Sequence, residues 1–161
     1  MTNHTLQKSM FQSGCILAGT AVILGAFGAH ALKDVLEPTE LATFETGVRY
    51  QFLHAFGTLM ISLSLRRLKE KTARNVWYLF IAGSILFCAS LYLLAMRSML
   101  GLPEQLKAIG AITPVGGLSF IAGWLLLAFN GFKVPDAEEQ HRSRRRSRRT
   151  QEHTEHTPET E

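Results

Sequence analysis

The sequence predicts an all-α integral membrane protein: a four-helix bundle with a short amphipathic helix in its first outer loop and a disordered C-terminal tail. Three observations predict it. No charged side chain lies between Lys8 and Lys33, Arg49 and Arg66, Arg74 and Arg97, or Lys107 and Lys133. A bilayer core about 30 Å thick needs about 20 helical residues to cross it, and three of the four gaps exceed that length. The apolar run Val76–Met96 also carries no charged face, whereas a soluble helix shows a polar face every turn. A mean hydropathy of only +0.09 is diluted by the polar C-terminal residues.

The spans are about 11–32, 50–65, 76–96 and 108–130, so one transmembrane domain fills residues 1–132 and leaves no room for a soluble domain. Ala29-His30-Ala31 has the small-x-small pattern of a signal cleavage site, but the preceding apolar run is long and three more follow, so retention is expected. Thirteen of the 17 Lys and Arg residues flank the spans on the side of both termini, five of them in the 66–74 loop. The positive-inside rule makes that side cytoplasmic, in the inner or plasma membrane.

The first outer loop is acidic, with Asp34, Glu37, Glu40 and Glu45. Pro38 or Thr39 reads as a helix start. Leu41, Phe44 and Val48 then recur at helical spacing, which predicts an amphipathic helix running into the second span. Glu45 and Arg49 are four residues apart in the favoured order for an ion pair. Residues 133–161 are first Arg-rich (His141 to Arg149), then acidic and Thr-rich. With few apolar residues to bury, they are expected to be a disordered cytoplasmic tail. Its basic cluster has the chemistry to bind anionic lipid headgroups, no nucleic-acid partner is expected, and its main role is read as fixing topology. His141, His153 and His156 lack zinc-finger spacing, so no metal site is read there.

Cys15 and Cys88 fall in different spans with no redox or zinc spacing and are read as buried, inert thiols. Small residues recur at four-residue steps in span one (Gly14, Ala18, Ala21, Gly25, Ala29) and cluster in span four (Gly116, Gly117, Gly123). They predict close helix packing in lipid, within one chain or between two copies.

Polar residues inside spans are costly, so each raises a functional question. Span order brings His30, Tyr50, His54, Tyr92 and Thr113 to similar depth in the outer leaflet, with Glu45 nearby. The cluster reads either as a hydrogen-bond network locking the bundle or as a ligand, proton or metal site built on the two histidines. Pro114 within span four would free a backbone carbonyl that Thr113 could satisfy. No Ser/His/Asp set, nucleotide loop or haem motif is present, so no catalytic residue, cofactor or metal is assigned.

Four segments together carry a resemblance: Leu24–Leu32 (LGAFGAHAL), Thr46–His54 (TGVRYQFLH), Ser90-Leu-Tyr92, and Thr113–Trp124 (TPVGGLSFIAGW). The chain resembles the small membrane proteins called domain of unknown function 423 over about Phe11 to Phe132. Arg49 before the tyrosine departs from the family pattern. The resemblance implies a multi-pass helical protein, in bacteria at the inner membrane, and brings no activity with it. The function expected is therefore that of a non-enzymatic structural or accessory component binding membrane lipid, another membrane protein or a second copy. The alternative is a small-solute or ion transporter or channel acting as an oligomer.

Overall fold

The computed structural model describes residues 3–133, so the tail beyond Lys133, with its basic cluster, lies outside the described residues. Within them every named element is helical and there is no named strand. Helix α1 (Asn3–Phe27) ends in a π turn (Gly28–Leu32). Helix α2 is Pro38–Leu63. Helix α3 (Glu70–Gly83) passes through a π turn (Ser84–Cys88) into α4 (Ala89–Ala95), making one rod. A 3-10 segment (Glu104–Ala111) leads to α5 (Thr113–Asn130).

Three of these segments are long and apolar enough to cross a membrane: His4–Leu32, Glu70–Ala95 and Ala108–Asn130. Helix α2 has the length but not the apolarity, because Gln51, His54, Thr58 and Ser62 all lie along it. Those four side chains are buried against the neighbouring helices. Burial in protein is what lets a segment of this polarity sit among apolar ones.

Local sequence sets the helix starts. Glu37 precedes α2 in extended conformation, and Pro38 takes the first helical position, where its missing N–H costs nothing. Glu40 Oε2 accepts the Glu37 N–H at 3.2 Å, half of a capping box. The stretch read from sequence as an amphipathic loop helix and residues 50–65, read as the second span, are thus one continuous helix. Pro114 likewise falls in the first turn of α5. It lies within the apolar segment Ala108–Asn130, where the 3-10 turn passes into α5, and the Thr113 hydroxyl pairs with Ser90 at 2.7 Å.

Successive helices run antiparallel. Gln7 Nε2 donates to the Ser62 carbonyl and Ser62 Oγ to the Gln7 carbonyl, both at 3.0 Å, joining the start of α1 to the end of α2. At the other end of this pair Gly28 faces Phe44. Lys69 N–H donates to the Gly131 carbonyl at 2.8 Å and Lys133 N–H to the Arg67 carbonyl at 3.0 Å, which holds the end of α5 against the start of α3.

Glycines set the closest crossings. A Cβ on Gly123 would lie 2.6 Å from Phe80, and one on Gly83 would lie 2.5 Å from Phe120. The two phenylalanines therefore occupy each other's helix at a glycine socket. Gly116 lets α5 approach the Phe87 backbone, and Gly14 admits Leu59. Gly25 and Gly117 sit at ordinary contact distance from Val48 and Phe87. In the α1 stripe Ala21 is buried and Ala18 half-buried, while Ala29 is exposed. Gly47 and Gly57 are further sockets, for Tyr92 and Phe80.

The outer surface is apolar. Ile16, Ile23, Leu63, Ile85, Leu118 and Phe129 are each more than 60% exposed. Cys88 is buried as expected, but Cys15 points outward. It lies on the face of α1 that α2 leaves uncovered, beside the exposed Ile16.

Candidate functional site

The polar side chains of the interior form two hubs on α2. Gln51 is the first. Its Nε2 donates to the Leu17 carbonyl at 3.0 Å and to Thr20 Oγ1 at 2.8 Å, both on α1. Its Oε1 accepts the Tyr92 hydroxyl from α4 at 2.9 Å. One amide therefore ties three helices with both its donors and its acceptor in use. Tyr92 reaches it because Gly47 leaves room for the ring, which also packs on Phe44 with centroids 4.9 Å apart.

His54, one turn along the same helix, is the second hub and is 1% exposed. Trp124 Nε1–H donates to its Nε2 at 3.1 Å. Nε2 therefore carries no proton, and Nδ1, 2.8 Å from the Tyr50 carbonyl, must be the donor there. The imidazole is held as the neutral Nδ1–H tautomer. It stacks on Phe120 with centroids 3.4 Å apart and meets Phe80 edge-on at 5.1 Å. α2, α3 and α5 thus meet at one ring. The Thr58 hydroxyl caps the His54 carbonyl at 2.8 Å.

Smaller links complete the set. Ser90 and Thr113 share a hydrogen bond between α4 and α5. Trp77 Nε1 donates to Ser13 Oγ at 2.9 Å, joining α3 to α1. Among the described residues, no buried side-chain nitrogen or oxygen lacks a partner.

The six residues grouped by sequence are therefore divided. Tyr50 and His54 are neighbours, Tyr92 bonds instead to Gln51 in the other hub, and Thr113 sits on Ser90. His30 is exposed in the π turn after α1 and makes no contact with His54. Glu45 is exposed on α2. Glu45 and Arg49 do not pair: the ion pair among the described residues is Arg97–Glu104 at 3.4 Å. Sequence reasoning overlooked Gln51 and Trp124. The rule that polar residues in spans are costly applies to Gln51 as it does to His54 three residues on, and a buried indole N–H calls for an acceptor.

Among the described residues no group of three His, Cys, Asp or Glu side chains is placed to hold a metal ion. What the arrangement does chemically is cross-link helices.

An apolar exterior around a hydrogen-bonded polar interior defines a helical membrane protein. The chain belongs to the family described as protein of unknown function DUF423, whose profile matches residues 24–117. It is 40% identical over 125 residues to the UPF0382 membrane protein SSP2132 of Staphylococcus saprophyticus, covering 75% of this chain and 94% of that one. It is 36% identical over 121 residues to the UPF0382 membrane protein YwdK of Bacillus subtilis, covering 74% and 93%. It is 34% identical over 118 residues to the UPF0382 inner membrane protein YgdD of Escherichia coli, covering 70% and 81%. No solved structure matches the chain.

Proposed function

We propose that this is a four-span, multi-pass protein of the inner or plasma membrane, with both termini cytoplasmic, acting as a non-enzymatic accessory component that binds lipid or a membrane partner. The observation that carries the reading is the saturation of the interior. Gln51, His54, Tyr92 and Trp124 spend their hydrogen-bonding atoms on one another and on the backbone. A binding or transport site needs polar atoms left over for its ligand, and these have partners already. Their work is to lock α2 among the other helices, and the protein's contacts then fall on its outer surface.

The support for α2 as the fourth span is its position. Flanked by three segments of membrane-crossing length, antiparallel to α1, and burying its polar residues on them, it crosses with them.

The test is to purify the full chain in native-lipid particles and compare intact-complex masses and thermal stability of wild type and a His54→Ala/Gln51→Ala variant. The expected result is a less stable variant that has lost no discrete bound mass from the interior. Solute flux in liposomes that disappears with these residues while stability holds would overturn the reading in favour of a transporter.

A further inference from the structure

A groove of about 300 Å³ opens on the outer surface between the end of α1 and the first half of α2. Gly25 lies at its floor beside Gly28, which the buried Phe44 covers; Val48 and Phe52 are its apolar walls, and the exposed Glu45 and Arg49 its rim. The two rim charges have opposite sign, stand one helical turn apart on the same helix and are not paired with each other. We infer that this groove holds one phospholipid whose headgroup carries a phosphate and a primary ammonium, with Arg49 on the phosphate, Glu45 on the ammonium and an acyl chain along the floor at Gly25.

Order along the helix carries the argument. α1 leaves its apolar segment at Leu32, followed by Lys33 and Asp34, so this end of the helix pair is at headgroup level. From there α2 descends through Glu45, then Arg49, then Phe52, with about 6 Å between the first two Cα positions. A zwitterionic phospholipid meets the membrane in the same order: ammonium outermost, phosphate below it, chains deepest. The match holds in either leaflet. Phosphatidylglycerol or cardiolipin would leave Glu45 facing a headgroup with no positive charge, the extra carboxylate of a serine headgroup would stand against Glu45, and a quaternary ammonium offers the carboxylate no N–H to accept. The missing Cβ atoms matter too. A Cβ on Gly25 would meet only Val48, at 3.4 Å, so the groove stays open to an acyl chain there, whereas the missing Cβ of Gly28 is taken up by the protein's own Phe44 ring.

This inference rests on the lipid-binding reading proposed above, and its test separates the two. The full chain is reconstituted in nanodiscs of equal parts phosphatidylethanolamine and phosphatidylcholine with matched acyl chains, and retained lipid is identified by intact-complex mass. Both lipids are net neutral, so the basic tail favours neither. The expected result is one retained lipid with about threefold preference for ethanolamine, the scale of a partly exposed charge pair. Glu45→Gln should bring the ratio to parity, Glu45→Asp should keep most of the preference, and Arg49→Gln should release both lipids, all with unchanged thermal midpoints because both side chains are exposed. Gly25→Leu should displace the lipid by filling the floor. A Glu45→Gln variant that keeps the wild-type preference overturns the inference. A lipid retained without headgroup preference also overturns it while leaving the lipid-binding reading standing, and a wild type that retains no lipid overturns both.

Discussion

Trp124 on α5 donates its indole N–H to His54 Nε2 on α2, 3.1 Å away and 70 residues earlier in the chain. The bond settles how the imidazole is used. With Nε2 accepting and Nδ1 donating to the Tyr50 carbonyl, neither nitrogen is free for a metal, and the ring serves as a packed, neutral connector between helices.

That assignment predicts an NMR result. The 15N spectrum of His54 in lipid particles should show a pyrrole-type Nδ1 and a pyridine-type Nε2. Trp124→Phe should shift the Nε2 resonance and leave Nδ1 in place. A spectrum with the proton on Nε2 would contradict the geometry.

The glycine sockets predict opposite signs for the same substitution at different sites. Gly83→Ala and Gly123→Ala press a methyl into Phe120 and Phe80 and should each cost about 1–3 kcal/mol of stability. A Cβ on Gly19 would meet nothing within 4 Å, so Gly19→Ala should stabilise by up to about 1 kcal/mol through helix propensity. Thermal unfolding in detergent reads both. Pairing Gly83→Ala with Phe120→Leu should recover part of the loss, because the shorter side chain clears the socket.

The proposed topology rests on the basic 66–74 loop. In a background lacking Cys15 and Cys88, Met99→Cys should react with a membrane-impermeant maleimide on intact cells, and Lys71→Cys should react only after permeabilisation. The reverse pattern would invert the proposed orientation.

Much of this fold was legible from charge spacing alone. Uncharged gaps located three of the membrane-length helices because nothing but an apolar exterior explains them, and Phe129 and Leu118 now stand on that exterior. Helix α2 was harder to read. Its start at Pro38 was visible in local capping chemistry, but its burial depends on neighbours that hydropathy does not register. The polar cluster was legible in part. Depth matching finds His54, Tyr92 and Thr113, yet depth carries no information about helix face, so His30 was grouped with a ring it never meets. Gln51 escaped notice because it is uncharged and lies between two aromatics. The paired sockets of Phe80 on Gly123 and Phe120 on Gly83 depend on the register of two helices far apart in sequence, which no local pattern encodes.

The most direct test of the central claim, that the interior polar groups lock the helices together, is a double-mutant cycle on Gln51→Leu and Tyr92→Phe, read by reversible unfolding in lipid particles. The account predicts that each single change destabilises and that the two couple by about 0.6 to 1.7 kcal/mol, the range of interhelical hydrogen bonds in membranes. Additive changes near zero, with the fold intact, would contradict it.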